Sequence, residues 1–259
     1  MKSLSAAVIT LNEESKIARA LASLAPVADE IVVVDSFSQD RTVEICRKFA
    51  TRIIQREWPG YRNQKQFATD QTSHAWVLSL DADEELSPQL QEELRRWKAL
   101  EADAACGYWI PRMTRFMGRW IRRTSWYPDY QLRLFRKDSG RWEGGRVHES
   151  FRTNQPTGRM TGHLLHYTYS DLSEYLRQLD RFSELAALDA FESGRRVGYL
   201  KLALYPPLVF FRNYFIRLGF LEGVPGFAVS AMAAASTLFK QLKLWDLQRR
   251  AVGRERSAQ

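Results

Sequence analysis

At 259 residues, 45% hydrophobic and 26% charged, the chain is long enough to bury a sizeable core and too apolar for global disorder. Its two cysteines, Cys46 and Cys106, sit singly in apolar patterns without zinc-site or redox spacing, and read as buried thiols of a reducing compartment. The net charge of +8 is unevenly placed: residues 194–259 hold 11 Lys and Arg against 3 Asp and Glu, and residues 1–193 hold 27 of each.

Met1-Lys2-Ser3 leads without a secretory pattern into Leu4–Leu11, which reads as a buried strand, so the active part is expected in the cytoplasm. A helix follows, with apolar Ile17, Ala20, Leu21 and Leu24 on one face. Glu30–Asp35 is a β-branched run too apolar to face water on either side. Beyond it the pattern predicts a polar turn at Ser36–Asp40, a helix over Arg41–Ala50, a strand at Arg52–Gln55, a helix over Tyr61–Gln71 and a strand at Trp76–Leu80. Strands alternating with helices predict an α/β fold with a mostly parallel sheet, whose ligands bind beyond the carboxyl ends of the strands. Asn12 and Glu13, Asp35, and Asp81 with Asp83 all follow such ends and should meet at one edge.

Asp81-Ala82-Asp83-Glu84-Glu85 is the densest of these positions. Asp81 and Asp83 alternate in an extended chain, and two hard oxygen donors on one side suit Mg2+ or Mn2+ with room left for phosphate oxygens. The same acids could instead cap the helix predicted over Pro88–Leu100. Neither a dinucleotide-binding glycine pattern nor a P-loop occurs, so a nucleotide would be held by side chains and metal.

After Leu100, strand-like pieces recur at Cys106–Pro111, Gln131–Lys137 and Arg146–Phe151. Between the first two, Arg112–Arg123 places cations every three or four residues beside large apolar groups, which suits an acidic, partly greasy acceptor or else a solvated basic helix face. Asp171–Ser193 is an amphipathic helix. Leu202–Phe211 and the uncharged Gly223–Phe239 read as elements lying in a membrane plane, or else as core helices packed on the sheet, since the first is short and interrupted by Pro206-Pro207 and the second is broken by Gly, Pro, Ser and Thr. Apolar residues interleaved with Lys and Arg suit an anionic membrane surface better than nucleic acid, for which no motif appears.

Thr10-Leu11-Asn12-Glu13, Val34-Asp35-Ser36-Phe37-Ser38-Gln39-Asp40-Arg41-Thr42 and Leu80-Asp81-Ala82-Asp83-Glu84 occur in the order and spacing of family 2 glycosyltransferases, which the chain resembles over roughly its first 110 residues. Trp126–Phe135, Val147-His148-Glu149 and Arg217–Gly223 look like the bacterial lipopolysaccharide inner-core subgroup and extend the resemblance over nearly the whole chain. The resemblance implies a GT-A fold, Rossmann-like with flanking helices. It further implies a catalytic domain over 1–170, with a nucleotide-sugar half to about 105 and an acceptor half beyond it. A helical, basic and apolar membrane-associating extension would occupy 171–259.

The implied activity is inverting, metal-dependent transfer of a hexose, glucose from UDP-glucose, to a heptose or related sugar of the lipopolysaccharide core. It would proceed at the cytoplasmic face of the inner membrane, on a lipid-linked acceptor, with a polyprenyl-phosphate or capsule acceptor and a non-catalytic scaffold as the rival readings. Thr10, Asn12, Glu13, Asp35, Lys65 and Asp81 would hold the nucleotide sugar, although Lys65 reads equally as an exposed helix lysine. Asp83 would be the principal metal ligand, with Asp81 and His148 beside it and His166 ranked below His148. Inversion needs one general base; Glu149 is preferred and Asp129 stays open. Arg115, Arg119 and Trp126 of the basic segment and its neighbour would grip the acceptor.

Overall fold

A computed structural model describes residues 1–100, 104–146, 149–169 and 171–257, with side chains to residue 251. The chain divides into two compact units. The first comprises Met1–Arg115, Pro128–Gly144 and His148–Thr168; the second comprises Phe116–Tyr127, Gly145–Val147 and Tyr169–Gln259.

In chain order the first stretch runs β1 (Leu4–Thr10), α1 (Ile17–Leu24), β2 (Glu30–Asp35), α2 (Thr42–Cys46), β3 (Arg52–Gln55), α3 (Tyr61–Asp70), β4 (Trp76–Asp81), β5 (Glu84–Leu86) and α4 (Pro88–Ala99). Then come β6 (Gly107–Phe116), β7 (Arg119–Trp120), β8 (Asp129–Arg136), β9 (Gly140–Glu143), β10 (Ser150–Thr153), β11 (Thr157–Arg159) and β12 (Leu164–His166). Every residue of β1 and β2 is buried, as expected of parallel strands covered on both faces. On one face Leu21 and Leu24 of α1 and Leu90, Leu94 and Trp97 of α4 pack against Val8 and Leu78. On the other, Ala68 of α3 joins Val77, Phe135, Trp142 and Phe151.

The large sheet has the order β3-β2-β1-β4-β8-β6-β12-β5 and is mixed, with antiparallel pairs at β8 and β5 beside the parallel ones. The first four strands are mutually parallel, but β8 is antiparallel to both β4 and β6. The cause is connection length: β6 and β8 are joined without a crossover helix, and a parallel pair needs one.

Two details of register position side chains. Thr10 pairs with Asp35 and Ile9 with Asp81, so the ends of β1, β2 and β4 lie level at one sheet edge. Between β6 and β8, Tyr108 opposes Leu134 and Trp109 opposes Leu132, which leaves Arg133 as the extra residue of a β-bulge. Bulges re-aim a side chain and recur beside active sites.

The basic segment Arg112–Arg123 is not a helix. Arg112–Phe116 continues β6, and the chain reverses at Met117 and Gly118, whose φ angles of +48° and +80° fit a hairpin turn of the twist that strands favour. β7 and a 3-10 turn at Thr124–Trp126 follow. The three- to four-residue recurrence of cations therefore spans two strands and a turn. Of the strand expected at Arg146–Phe151, β10 covers Ser150 onward, and residues 147 and 148 lie outside the described residues.

The second unit contains α5 (Leu172–Glu192), α6 (Tyr199–Phe211) and α7 (Val224–Ser257), with α5 and α6 both packed on α7. Asp171 caps α5 by accepting from Glu174 N at 2.7 Å. The opening turn of α7 runs so close to Gly219 that a Cβ on Gly226 would lie 1.9 Å from the Gly219 carbonyl oxygen. Among the described residues no helix is long and apolar enough to cross a membrane.

Candidate active site

At the level ends of β1 and β2, Asp35 is fully buried and accepts from Ser38 N at 3.0 Å, Ser38 Oγ at 2.5 Å and Gln55 Nε2 at 3.1 Å. Asn12 holds the left-handed φ of +54° that asparagine tolerates. Its Oδ1 accepts from Gln39 N at 2.8 Å and its own N–H donates to Ser38 Oγ at 2.9 Å. Glu13 N donates to Thr42 Oγ1 at 2.8 Å. These bonds tie the loop after β1 to the loop after β2, so the conformation of both rests on short polar side chains. Among the described residues Thr10 Oγ1 is buried with no hydrogen-bond partner.

Asp81 closes β4 and is the centre of a network. Lys65 Nζ approaches its Oδ1 to 2.9 Å, Arg133 Nη2 its Oδ2 to 2.5 Å, and Lys65 also donates to Glu149 Oε1 at 2.7 Å. Lys65 is only 4% exposed, so it is not an ordinary surface lysine of α3. Arg133 Nη2 further reaches Glu84 Oε1 at 3.0 Å; Arg112 Nη1 reaches the same oxygen at 3.3 Å, and Arg112 grips Asp129 Oδ2 through Nε at 2.9 Å and Nη2 at 2.6 Å. Gln131 holds the other oxygen of Asp129 at 2.7 Å. Four carboxylates and three cations thus alternate across one end of the sheet. Burial alone would raise the Asp81 carboxyl, but Arg133 and Lys65 outweigh it and hold Asp81 well below the usual carboxylate range.

Asp83 takes a different partner. Its Oδ2 lies 3.1 Å from His166 Nε2, and the other ring nitrogen, Nδ1, lies 3.3 Å from Thr114 Oγ1. Strand pairing sets this up, because His166 of β12 stands in register with Thr114 of β6 and with Glu84 of β5. Burial pushes the Asp83 carboxyl up and the His166 ring brings it down, with a net lowering. An oxygen and an imidazole nitrogen turned toward each other, the ring steadied from behind, fit a divalent cation that keeps other positions for water and phosphate. Among the described residues no cluster of three or more His, Cys, Asp or Glu forms a complete cage. Helix capping does not explain the acids, since Ser87 caps α4 by accepting from Leu90 N at 3.2 Å.

The remaining candidates divide. Lys65, Asp81, Glu149 and Asp129 are joined by the network, and Asp83 follows Asp81 on the same strand end. His148 lies outside the described residues. Arg115 is exposed in the first unit. Arg119 and Trp126 belong to the second, where Arg119 Nη1 donates to Glu222 O at 3.2 Å and Trp126 packs among Phe116, Tyr169 and Tyr175. Arg133 and Thr114 were not anticipated, and Glu84 was marked only as part of the acidic run after β4. Arg133 carried a signal: a cation inside Leu132-Arg133-Leu134-Phe135 is a buried charge in want of carboxylates.

The chain is similar to known proteins. A model of glycosyl transferase family 2 matches residues 5–163. LpsC of Rhizobium meliloti, a lipopolysaccharide core biosynthesis glycosyltransferase, is 33% identical over 252 residues, 92% of each chain. An uncharacterized glycosyltransferase of Rickettsia prowazekii is 31% identical over 257 residues, 95% of this chain and 88% of its own. In fold the chain resembles S. aureus TarS, solved with UDP-GlcNAc, at a TM-score of 0.51 and 16% identity over 97% of this chain and 92% of that one. The fold is accordingly GT-A-like, a mixed sheet with flanking helices followed by C-terminal helices. The chain belongs to glycosyl transferase family 2 and is a glycosyltransferase.

Proposed function

We propose that the protein transfers a hexose, glucose from UDP-glucose, with inversion to a heptose or related sugar of the lipopolysaccharide core, at the cytoplasmic face of the inner membrane. The observation that carries the reading is the alternating network at the end of β4, in which Asp81, Lys65, Arg133 and Glu149 lie together beside the Asp83–His166 pair. The similarity to LpsC supports the lipopolysaccharide core as the acceptor.

Each group has a role in this scheme. Thr10, Asn12, Glu13 and Asp35 face the nucleoside, the orphaned Thr10 hydroxyl gaining its hydrogen bond on binding. Mg2+ or Mn2+, held by Asp83 and His166, would offset charge on the departing diphosphate. Lys65 and Arg133 add fixed cations preorganised by burial. Glu149 is the base: Lys65 holds its Oε1, and Oε2 has no described hydrogen bond, so it is the oxygen that takes the acceptor hydroxyl proton as the new C1–O bond forms and the bond to diphosphate breaks. Asp129, with both oxygens taken by Arg112 and Gln131, serves to position rather than to accept a proton. Arg115, exposed in the first unit, is assigned to the acceptor.

Release of free UDP from a panel of UDP-sugars tests the reading, with Mn2+ or Mg2+ and with or without deacylated core oligosaccharide. Acceptor-stimulated release from UDP-glucose is expected. A folded protein that releases UDP from no donor with either metal would overturn it.

A further inference from the structure

Of 23 large hydrophobic side chains exposed among the described residues, 13 fall between Tyr199 and Phe227, a density that scattered surface leucines do not reach. They are ordered. Along α6 and the turn after it, Leu200, Leu204, Leu208, Phe211 and Phe215 recur at intervals of four, four, three and four, which is one stripe of a helix, and all five face water. The opposite stripe, Pro206, Val209 and Asn213, is buried. A water-facing helix turns its charged side outward, as α5 of the same unit does with Arg177, Asp180, Arg181 and Glu184. On α6 the outward side is apolar.

The charges around the stripe have one sign. Arg195, Arg196, Lys201, Arg212 and Arg217 are all exposed. The single acid between residues 195 and 227, Glu222, is buried, and its Oε1 accepts from Arg122 N at 3.0 Å. α6 is 13 residues long, about 20 Å at 1.5 Å per residue, too short for a hydrocarbon core of about 30 Å. We infer that α6 and the segment to Phe227 form an in-plane docking face for an anionic phospholipid bilayer, the apolar stripe entering the acyl boundary and the five cations meeting lipid phosphates. This rests on the surface of the second unit alone and is independent of which sugar is transferred.

Flotation of the full-length protein with vesicles tests it. Binding to phosphatidylglycerol–phosphatidylethanolamine vesicles is expected, weaker binding to phosphatidylcholine, and loss of the difference at high salt. The triple variant Leu204→Glu, Leu208→Glu, Phe211→Glu alters only exposed positions and should fold like the parent by circular dichroism while partitioning at least about tenfold less. Lys201→Gln with Arg212→Gln and Arg217→Gln, which leaves the apolar stripe intact, should lose the anionic preference alone. Equal partitioning of parent and Glu variant would overturn the inference, as would a stable dimer that binds no vesicles and becomes monomeric in the Glu variant, which would make a second copy the occupant. UDP-sugar binding without vesicles is read separately, so failure of the membrane face and failure of the proposed transfer give different results.

Discussion

Arg133 Nη2 lies 2.5 Å from Asp81 Oδ2, so the carboxylate that ends β4 meets a cation carried by an antiparallel neighbour at a bulge. The same nitrogen serves Glu84, whose side chain is wholly buried. Removing the cation leaves the buried Glu84 and the half-buried Asp81 undercompensated. Arg133→Met should therefore cost about 3–5 kcal/mol in urea unfolding, the range for breaking a buried ion pair from one side. Arg133→Lys keeps the charge without the planar fork and should lose less. A Met variant with the parent's urea midpoint would show that the network contributes nothing to stability.

Asp83 and His166 make separate demands on metal. Asp83→Ala should abolish turnover, and near-normal activity would refute the assignment. Thr114→Val is subtler: it removes the hydroxyl behind His166 Nδ1 and should raise the Mn2+ concentration needed for half-maximal UDP release by about tenfold, the lower end for outer-shell changes. Titrating activity against Mn2+ reads both. An unchanged requirement in Thr114→Val would mean that the His166 ring needs no support.

The three strand ends were legible because parallel strands buried on both faces leave near-continuous apolar runs, and the polar residues that stop them mark the ligand edge. The partners of Arg133 were not, because a bulge is a property of strand pairing and a single strand carries no register. His166 ranked below His148 because a lone His in an apolar run reads as a core residue; the neighbours that change this, Asp83 and Thr114, are 83 and 52 residues away in sequence. The Arg112–Arg123 segment left a helix face open because spacing of three or four in a short window fits a helix as readily as two strands and a turn.

Glu149 and Asp129 can be separated by chemistry. Glu149→Gln keeps a hydrogen-bond acceptor for Lys65 but cannot take a proton, so kcat should fall by about 10²–10⁴ while UDP-sugar binding persists. Asp129→Asn weakens the clamp of Arg112 and should act more on KM for the acceptor than on kcat. Steady-state kinetics with binding by calorimetry distinguishes them. A collapse of kcat in Asp129→Asn with Glu149→Gln near normal would exchange the two roles.

Acid stability depends on carboxylates held below their ordinary values. Burial would raise the Glu30 carboxyl, but Ser5 Oγ at 2.5 Å and Ser73 N and Oγ at 2.8 Å outweigh it, and the net shift is downward. Asp81 and Asp83 are lowered as well. A group depressed on folding contributes stability that is fully present above its unfolded value, about 4 for these residues, and is lost as pH falls through the lower folded value. The melting temperature should therefore hold near neutrality and drop steeply below about pH 4. Glu30→Gln removes one titrating group without moving the strand. At pH 7 it should be less stable than the parent, with the gap closing toward acid as the parent's Glu30 is protonated. A gap that stays constant from neutral to acid pH would mean that the Glu30 hydrogen bonds do not depend on its charge.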